Sequence, residues 1–175
     1  MSTINGRACV ANGTPVDKVF SDGKQVYGRN YIQNSDKYLI GAGKQQNIIG
    51  YISGDNVKKL RGKQVTISVD VDYTNARHEV GQQCRVGSEF SVTYESGQQK
   101  YISVWKPTTA GESFSGKISQ TMMFKDEPIG STSVNNWVYA QDAFDTVSMG
   151  RPKLEIGTTF TPWTPAPEDI LIGGK

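Results

Sequence analysis

The sequence has a single histidine, His78, and two cysteines, Cys9 and Cys84, in 175 residues. That scarcity excludes most nucleophilic and metal chemistry. Any Ser-His or Cys-His pair must use His78 itself, whose setting, Asn75-Ala76-Arg77-His78-Glu79, reads as a solvated turn between strands. Two cysteines are too few for a disulfide scaffold and lack metal-ligand spacing, so they read as two reduced thiols. Runs of one charge are also missing: 19 basic and 17 acidic residues are scattered along the chain, net +2, without the basic footprint of a nucleic-acid binder. The longest apolar runs, such as Leu39-Ile40, fall far short of the roughly 20 residues a bilayer crossing needs. Met1 is followed by polar Ser-Thr rather than an apolar leader, so neither membrane insertion nor secretion by its own leader is expected. Gly41-Ala42-Gly43-Lys44 is too short for a phosphate-cradling loop and lacks the Ser or Thr after the lysine, and no His-Glu-x-x-His motif occurs.

Sustained helical periodicity is absent too, whereas 19 glycines and 7 prolines punctuate the chain at short intervals. What is present is alternation. From Val65 to Tyr73 every odd position is apolar and every even one polar, which predicts a strand with one packed and one wet face. Glu89–Glu95 repeats the pattern, Ser96-Gly97 supplies a turn, and Tyr101–Trp105 reads as the returning strand of a hairpin. Further strands are expected at 47–52, 117–124, 136–141 and 145–156. This spacing predicts an all-β fold, a sandwich of two antiparallel sheets.

The ends differ from the middle. Asn5-Gly6, Asn12-Gly13 and Asp22-Gly23 are hairpin-turn signals that predict a small meander over residues 1–28, too small to be stable alone and therefore a connector that docks on the sandwich or on another chain. Residues 29–160 form the expected sandwich. The three prolines between Pro162 and Pro167 predict an extended path over 161–175 on which the chain leaves the domain, with Trp163 as a pin.

The chain has 3 Trp, 8 Tyr and 6 Phe, and several rings stand at strand positions whose neighbours already account for a core. If Ile102 and Val104 point inward, Tyr101, Ser103 and Trp105 share the other face; likewise Trp137, Tyr139 and Gln141 oppose Val138 and Ala140. Rings beside amides suit a sugar, whose C–H face stacks on an aromatic while its hydroxyls bond Asn, Gln, Arg or Asp, with no cofactor required. The competing assignment for Tyr101, Trp105, Trp137 and Tyr139 is packing between the sheets. Asp70 and Asp72 lie on one strand face about 7 Å apart, for which a solvated surface is the plainer reading than a catalytic pair. Together with Asp142 and Asp145 they are also the oxygen donors a structural Ca²⁺ ion would draw on, although no EF-hand-type loop is written out.

Three segments carry a resemblance. Asn12-Gly13-Thr14-Pro15-Val16-Asp17-Lys18-Val19-Phe20-Ser21-Asp22-Gly23-Lys24-Gln25-Val26-Tyr27-Gly28-Arg29-Asn30 resembles the connector ahead of a carbohydrate-binding-module-like domain in tail and baseplate proteins of bacteriophages that infect Gram-positive bacteria. Gly150-Arg151-Pro152-Lys153-Leu154-Glu155-Ile156-Gly157 with Thr161–Asp169 resembles the closing strand and exit of such domains, and 63–68 and 137–141 resemble their interior strands more loosely. The resemblance implies a jelly-roll carbohydrate-binding module on the virion tail or baseplate, made in the host bacterial cytoplasm. Its implied partners are cell-wall or surface polysaccharide and other tail or baseplate proteins, with room for a homo-oligomer in the virion. The expectation is a non-catalytic adhesion module in which Tyr101, Trp105, Trp137 and Tyr139 give stacking surface and Asn135, Asn136, Gln141 and Arg85 give hydrogen bonds. The alternatives are a purely structural spacer or docking protein and, with least support, a depolymerase.

Overall fold

The computed structural model describes residues 9–172 apart from Gly13 and Gln82. Period-2 alternation gives strands and the Gly-, Asn- and Asp-rich links give turns. In chain order the elements are β1 Val10–Ala11, β2 Thr14–Pro15, β3 Lys18–Ser21, β4 Lys24–Gly28, β5 Tyr38–Gly41, β6 Gln45–Ser53, α1 Gly54–Lys58, β7 Gln64–Thr74, β8 Arg85–Thr93, β9 Gln99–Pro107, β10 Phe114–Met123, β11 Ser133–Gln141, β12 Thr146–Ile156 and α2 Pro167–Ile172. Two four-stranded antiparallel sheets, β10-β7-β12-β5 and β6-β11-β8-β9, form a sandwich, and β1-β2 and β3-β4 are two-stranded additions. Within the sandwich every chain link changes sheet except the β8–β9 hairpin, the winding of a jelly roll. The β strands expected from alternation are all present; β5 and the two short helices carry too few residues to show a period and were not expected.

The core lies between the sheets. Val65, Ile67, Val69, Val71 and Tyr73 of β7 are buried on the inner face, against Val86, Phe90 and Val92 of β8, Ile102 and Val104 of β9, and Val138 and Ala140 of β11. Each fully buried side chain of this size contributes about 1.5–3 kcal/mol. Tyr101, Trp105, Trp137 and Tyr139 are absent from this cluster, so the inter-sheet packing weighed for them is not their role.

In β12 the alternation changes phase. Val147 and Met149 point inward, but the register with β7 shifts between Gly150 and Lys153, and Arg151 sits there at φ 50°. Beyond this bulge Leu154 points inward, while Lys153 and Glu155 stand opposite Ser68 and Thr66 on the outer face of the sheet. That outer face is covered at this end. Lys153 and Glu155 are 0% exposed, their charged groups 3.5 Å apart, beneath Tyr27 and the segment that follows β12. Lys153 Nζ donates to Thr161 Oγ1 (2.7 Å) and to the Pro162 carbonyl (2.8 Å); Glu155 accepts from the Thr161 N–H and hydroxyl, both at 2.8 Å. Burial pushes Lys153 down to about 8 and Glu155 up, each opposed by the charge of the other. Gly28 completes the seal, because a Cβ there would fall 1.8 Å from Glu155 Oε2, and its N–H donates to Thr161 Oγ1 at 3.0 Å.

This corrects the expected boundary at 161. The chain does not leave the domain there; it folds back, with Thr161, Thr164 and Ala166 buried. Asn30 ties the two ends together: its amide donates to Ser35 Oγ and the Thr164 carbonyl, and its oxygen accepts from the Ile32 and Leu154 N–H groups. Arg29 pairs with Glu168 of α2 and bonds Asn56 of α1, and Trp163 donates to Ser35 Oγ at 3.2 Å. The β3–β4 hairpin is therefore docked on the sandwich. Among the described residues, the outer face of β6-β11-β8-β9 has no such cover.

Removing one member of a buried charge pair leaves the other uncompensated, so Lys153→Met should lower the unfolding free energy by about 3–5 kcal/mol in urea titration, and Lys153→Met with Glu155→Leu should recover most of it. Removing residues 1–28 should uncover the same pair, read as a lower Tm and faster proteolysis of the remaining chain.

Candidate functional site

On the uncovered face, strand register decides which side chains meet. β11 pairs with β8 so that Trp137 lies opposite Glu89, Tyr139 opposite Gly87 and Gln141 opposite Arg85. β8 pairs with β9 so that Glu89 lies opposite Ser103, Gly87 opposite Trp105, Arg85 opposite Pro107 and Ser91 opposite Tyr101. Side chains opposite one another share a face, so the rings of three strands and the charged groups of the middle strand form one surface.

Gly87 is the gap that lets the rings meet. A Cβ at this position would stand 2.5 Å from the Trp105 ring and 2.1 Å from the Val104 carbonyl oxygen. Across that bare backbone Trp105 approaches Tyr139 to 5.5 Å between ring centroids, and Trp137 stacks beside Tyr139 at 6.1 Å with 22° between planes. Arg85 lies over the Trp105 ring, its Cζ 3.8 Å from the centroid, and its Nε donates to Gln141 Oε1 at 2.7 Å. Glu89 stands among the rings, half-buried. Burial pushes its carboxyl above the usual range, opposed by the Arg85 charge and the Trp105 side-chain hydrogen bond. Burial, with the Glu89 and Tyr101 charges, likewise pushes the Tyr139 hydroxyl up.

A groove of about 400 Å³ opens on this face, lined by Glu89, Ser91, Tyr101, Ser131, Ser133, Asn135, Trp137 and Tyr139 among others. Of the residues expected from sequence, Tyr101, Asn135, Trp137 and Tyr139 line it, and Trp105, Arg85 and Gln141 extend the face beyond Tyr139. Asn136 is the exception. Plain alternation puts it on the inner face with Val134, Val138 and Ala140, where it is fully buried, accepts from Ser88 Oγ and donates to the Ile49 carbonyl, so it braces the sheet and offers nothing to a ligand. Gln141 keeps its amide nitrogen, its oxygen being taken by Arg85.

Glu89, Ser91, Ser131, Ser133 and Gly87 were missed. Glu89 and Ser91 were legible as the polar face of their strand, but only cross-strand register shows that this face lies between the rings. Two other concavities are comparable in size: about 380 Å³ beside Tyr38, Asp70, Asp72 and Lys117, and about 440 Å³ beside Asn34, Asp36, Trp163 and Asp169. Each has one ring. Asp70 is paired with Lys117 and Asp145 with Arg77, and among the described residues the four aspartates considered for Ca²⁺ form no common cluster.

No protein-family model matches the chain, and no curated protein matches it. Among solved structures, similarity is found to the tripod from the baseplate of bacteriophage Tuc2009 (18% identity, TM-score 0.48), over 82% of this chain and 61% of that one. The chain thus spans about three fifths of the baseplate chain's length. It is also similar to the C-terminal family 22 carbohydrate-binding module of Clostridium thermocellum Xyn10B (9% identity, TM-score 0.44), over 75% of this chain and 96% of that one. At these identities and scores neither likeness extends to a residue or a ligand.

Proposed function

We propose that the protein is a non-catalytic adhesion module that holds a surface saccharide on the open face of the β6-β11-β8-β9 sheet. The observation that carries this reading is the convergence of Tyr101, Trp105, Trp137 and Tyr139 on one uncovered face, with Glu89 among them and Arg85 fixed at one end. From Trp137 to Gln141 the face runs about 13 Å along the strand, room for a short oligosaccharide. Its rings suit the C–H faces of pyranoses, and Glu89, Asn135 and the groove serines suit their hydroxyls. Glycoside hydrolysis uses a pair of carboxylates across the scissile bond, and Glu89 is the single carboxylate in the lining of this groove, which favours holding over cutting.

The sequence resemblance of 12–30 and 150–169 supports a place on the tail or baseplate of a phage that infects Gram-positive bacteria, with wall or surface polysaccharide as ligand and other tail proteins as partners. A shallow, open groove binds weakly, so adhesion would come from many copies on one virion, which raise avidity by roughly 10²–10⁴.

The test is retention of the labelled, multimerised protein on intact Gram-positive cells against the same cells stripped of wall polysaccharide. Binding should vanish with the polysaccharide, and Trp137→Ala and Trp105→Ala should each weaken the monomer about tenfold while melting normally, as loss of one stacking ring predicts. No binding by the multimer across a broad strain panel leaves the structural spacer. If an ionised Glu89 accepts sugar hydroxyls, affinity should fall on acidification, beginning above the usual carboxylate range, and Glu89→Gln should flatten that fall in a binding titration against pH.

A further inference from the structure

At the end of the sandwich beyond Arg85, three chain segments bring unlike donors together. His78 lies in the β7–β8 loop, Cys84 immediately precedes β8, and Asp142 immediately follows β11. One ligand atom from each falls within 4.8 Å of the others. Donors around a tetrahedral ion bound at 2.0–2.3 Å stand roughly 3.3–3.8 Å apart, and His78 Nε2 is already 3.7 Å from Asp142 Oδ2. Closing the set requires about 1 Å of movement, in which the partly exposed imidazole would exchange its contact with the Thr108 carbonyl for the ion.

Asp142 is the reason to look for a cation. Its side chain is 0% exposed, and an ionised carboxylate out of water is costly unless it is compensated. Its Oδ1 accepts the Ala143 N–H at 2.8 Å and its Oδ2 the Thr108 hydroxyl at 2.6 Å, two neutral donors that orient it. Among the described residues the basic group within 4 Å of it is His78. His78 and Cys84 both hold left-handed conformations, φ 51° and 47°, which aim their side chains from the two ends of the β7–β8 loop toward Asp142. Thr108 holds both, its N–H donating to the Cys84 carbonyl at 2.9 Å and its own carbonyl and hydroxyl facing His78 Nε2.

We propose that His78, Cys84 and Asp142 form a three-ligand Zn²⁺ site that clamps the β7–β8 loop to the end of β11, with the fourth position open to water. A thiolate, an imidazole and a carboxylate form a borderline-soft set that suits Zn²⁺ rather than the Ca²⁺ for which Asp142 was considered from sequence. The Thr108 hydroxyl and the Ala143 N–H hold the carboxylate in place for the ion. On binding, the Cys84 thiol loses its proton to solvent. His78 Nε2 stands 2.5 Å from the Thr108 carbonyl oxygen; binding through Nε2 gives up that contact and leaves the ring's one proton on Nδ1, whereas binding through Nδ1 keeps the proton on Nε2 toward the carbonyl. The site does not depend on the saccharide reading.

The full chain would be titrated with Co²⁺, reading the thiolate-to-cobalt charge-transfer band and the visible d–d bands, and then displaced with Zn²⁺. One equivalent of Co²⁺ should develop both bands and Zn²⁺ should abolish them. The Cys9→Ser variant should behave as wild type, Cys84→Ser should lose the charge-transfer band, and His78→Ala should weaken binding at least about tenfold. Zn²⁺ should also slow proteolysis at 79–83. Absence of the charge-transfer band in the wild-type chain, or its survival in Cys84→Ser, overturns the site and leaves the Thr108 hydroxyl and the Ala143 N–H as what holds Asp142. Should Cys84→Ser not fold, His78→Ala decides, because that side chain lies at the surface.

Discussion

The buried pair Lys153 and Glu155, closed over by Thr161 and Tyr27, is the constraint on which the rest of the molecule depends. Two charges out of water on the outer face of a sheet are tolerable only if something dry covers them and their remaining donors and acceptors are filled. The β3–β4 hairpin supplies the cover and the segment after β12 supplies the hydrogen bonds, so both ends of the chain are bound to one sheet. The Asn30 amide, satisfied on all four sides, joins the same two ends a few residues away.

Covering one sheet leaves the other open, and this asymmetry sets where a ligand can bind. On β6-β11-β8-β9 the inner residues are consumed by the core, and among the described residues no protein layer lies above the outer residues of β11, β8 and β9. An aromatic on that face gains little from the fold and is available to a ligand. Gly87 has the opposite logic to the buried charges: it contributes no side chain, and its vacancy lets Trp105 and Tyr139 meet over the middle strand. The loops of the adjoining end meet because nearly every chain link crosses between sheets, which gathers the connections of β7–β8, β9–β10 and β11–β12 into one rim.

Much of the fold was legible because its strands alternate cleanly. The 65–73 pattern reappears as the buried face of β7, and Ser96-Gly97 turns the β8–β9 hairpin with Gly97 at φ 84°. The same period-2 logic placed Tyr101 with Trp105 and Trp137 with Tyr139. Carried two residues back, it also puts Asn136 inside with Val138 and Ala140, against the hydrogen-bonding role expected for it. It failed at the β12 bulge, where Lys153 and Glu155 follow a register shift whose only local sign is the Gly-Arg-Pro that precedes them. The prolines before α2 point to an extended exit path and its few residues show no period, whereas Arg29 and Asn56 hold Glu168 and keep it on the body.

The sequence by itself determined the fold class, the positions of the longer strands and which side of each is polar up to the β12 bulge, because all three follow from side-chain alternation within a few residues. Tertiary structure decided which wet sides stay wet, which strands stand next to one another, and therefore that Glu89 lies among the rings and that His78, Cys84 and Asp142 meet. Those outcomes depend on register, bulges and the return of the chain ends, interactions between residues tens of positions apart that no local pattern encodes.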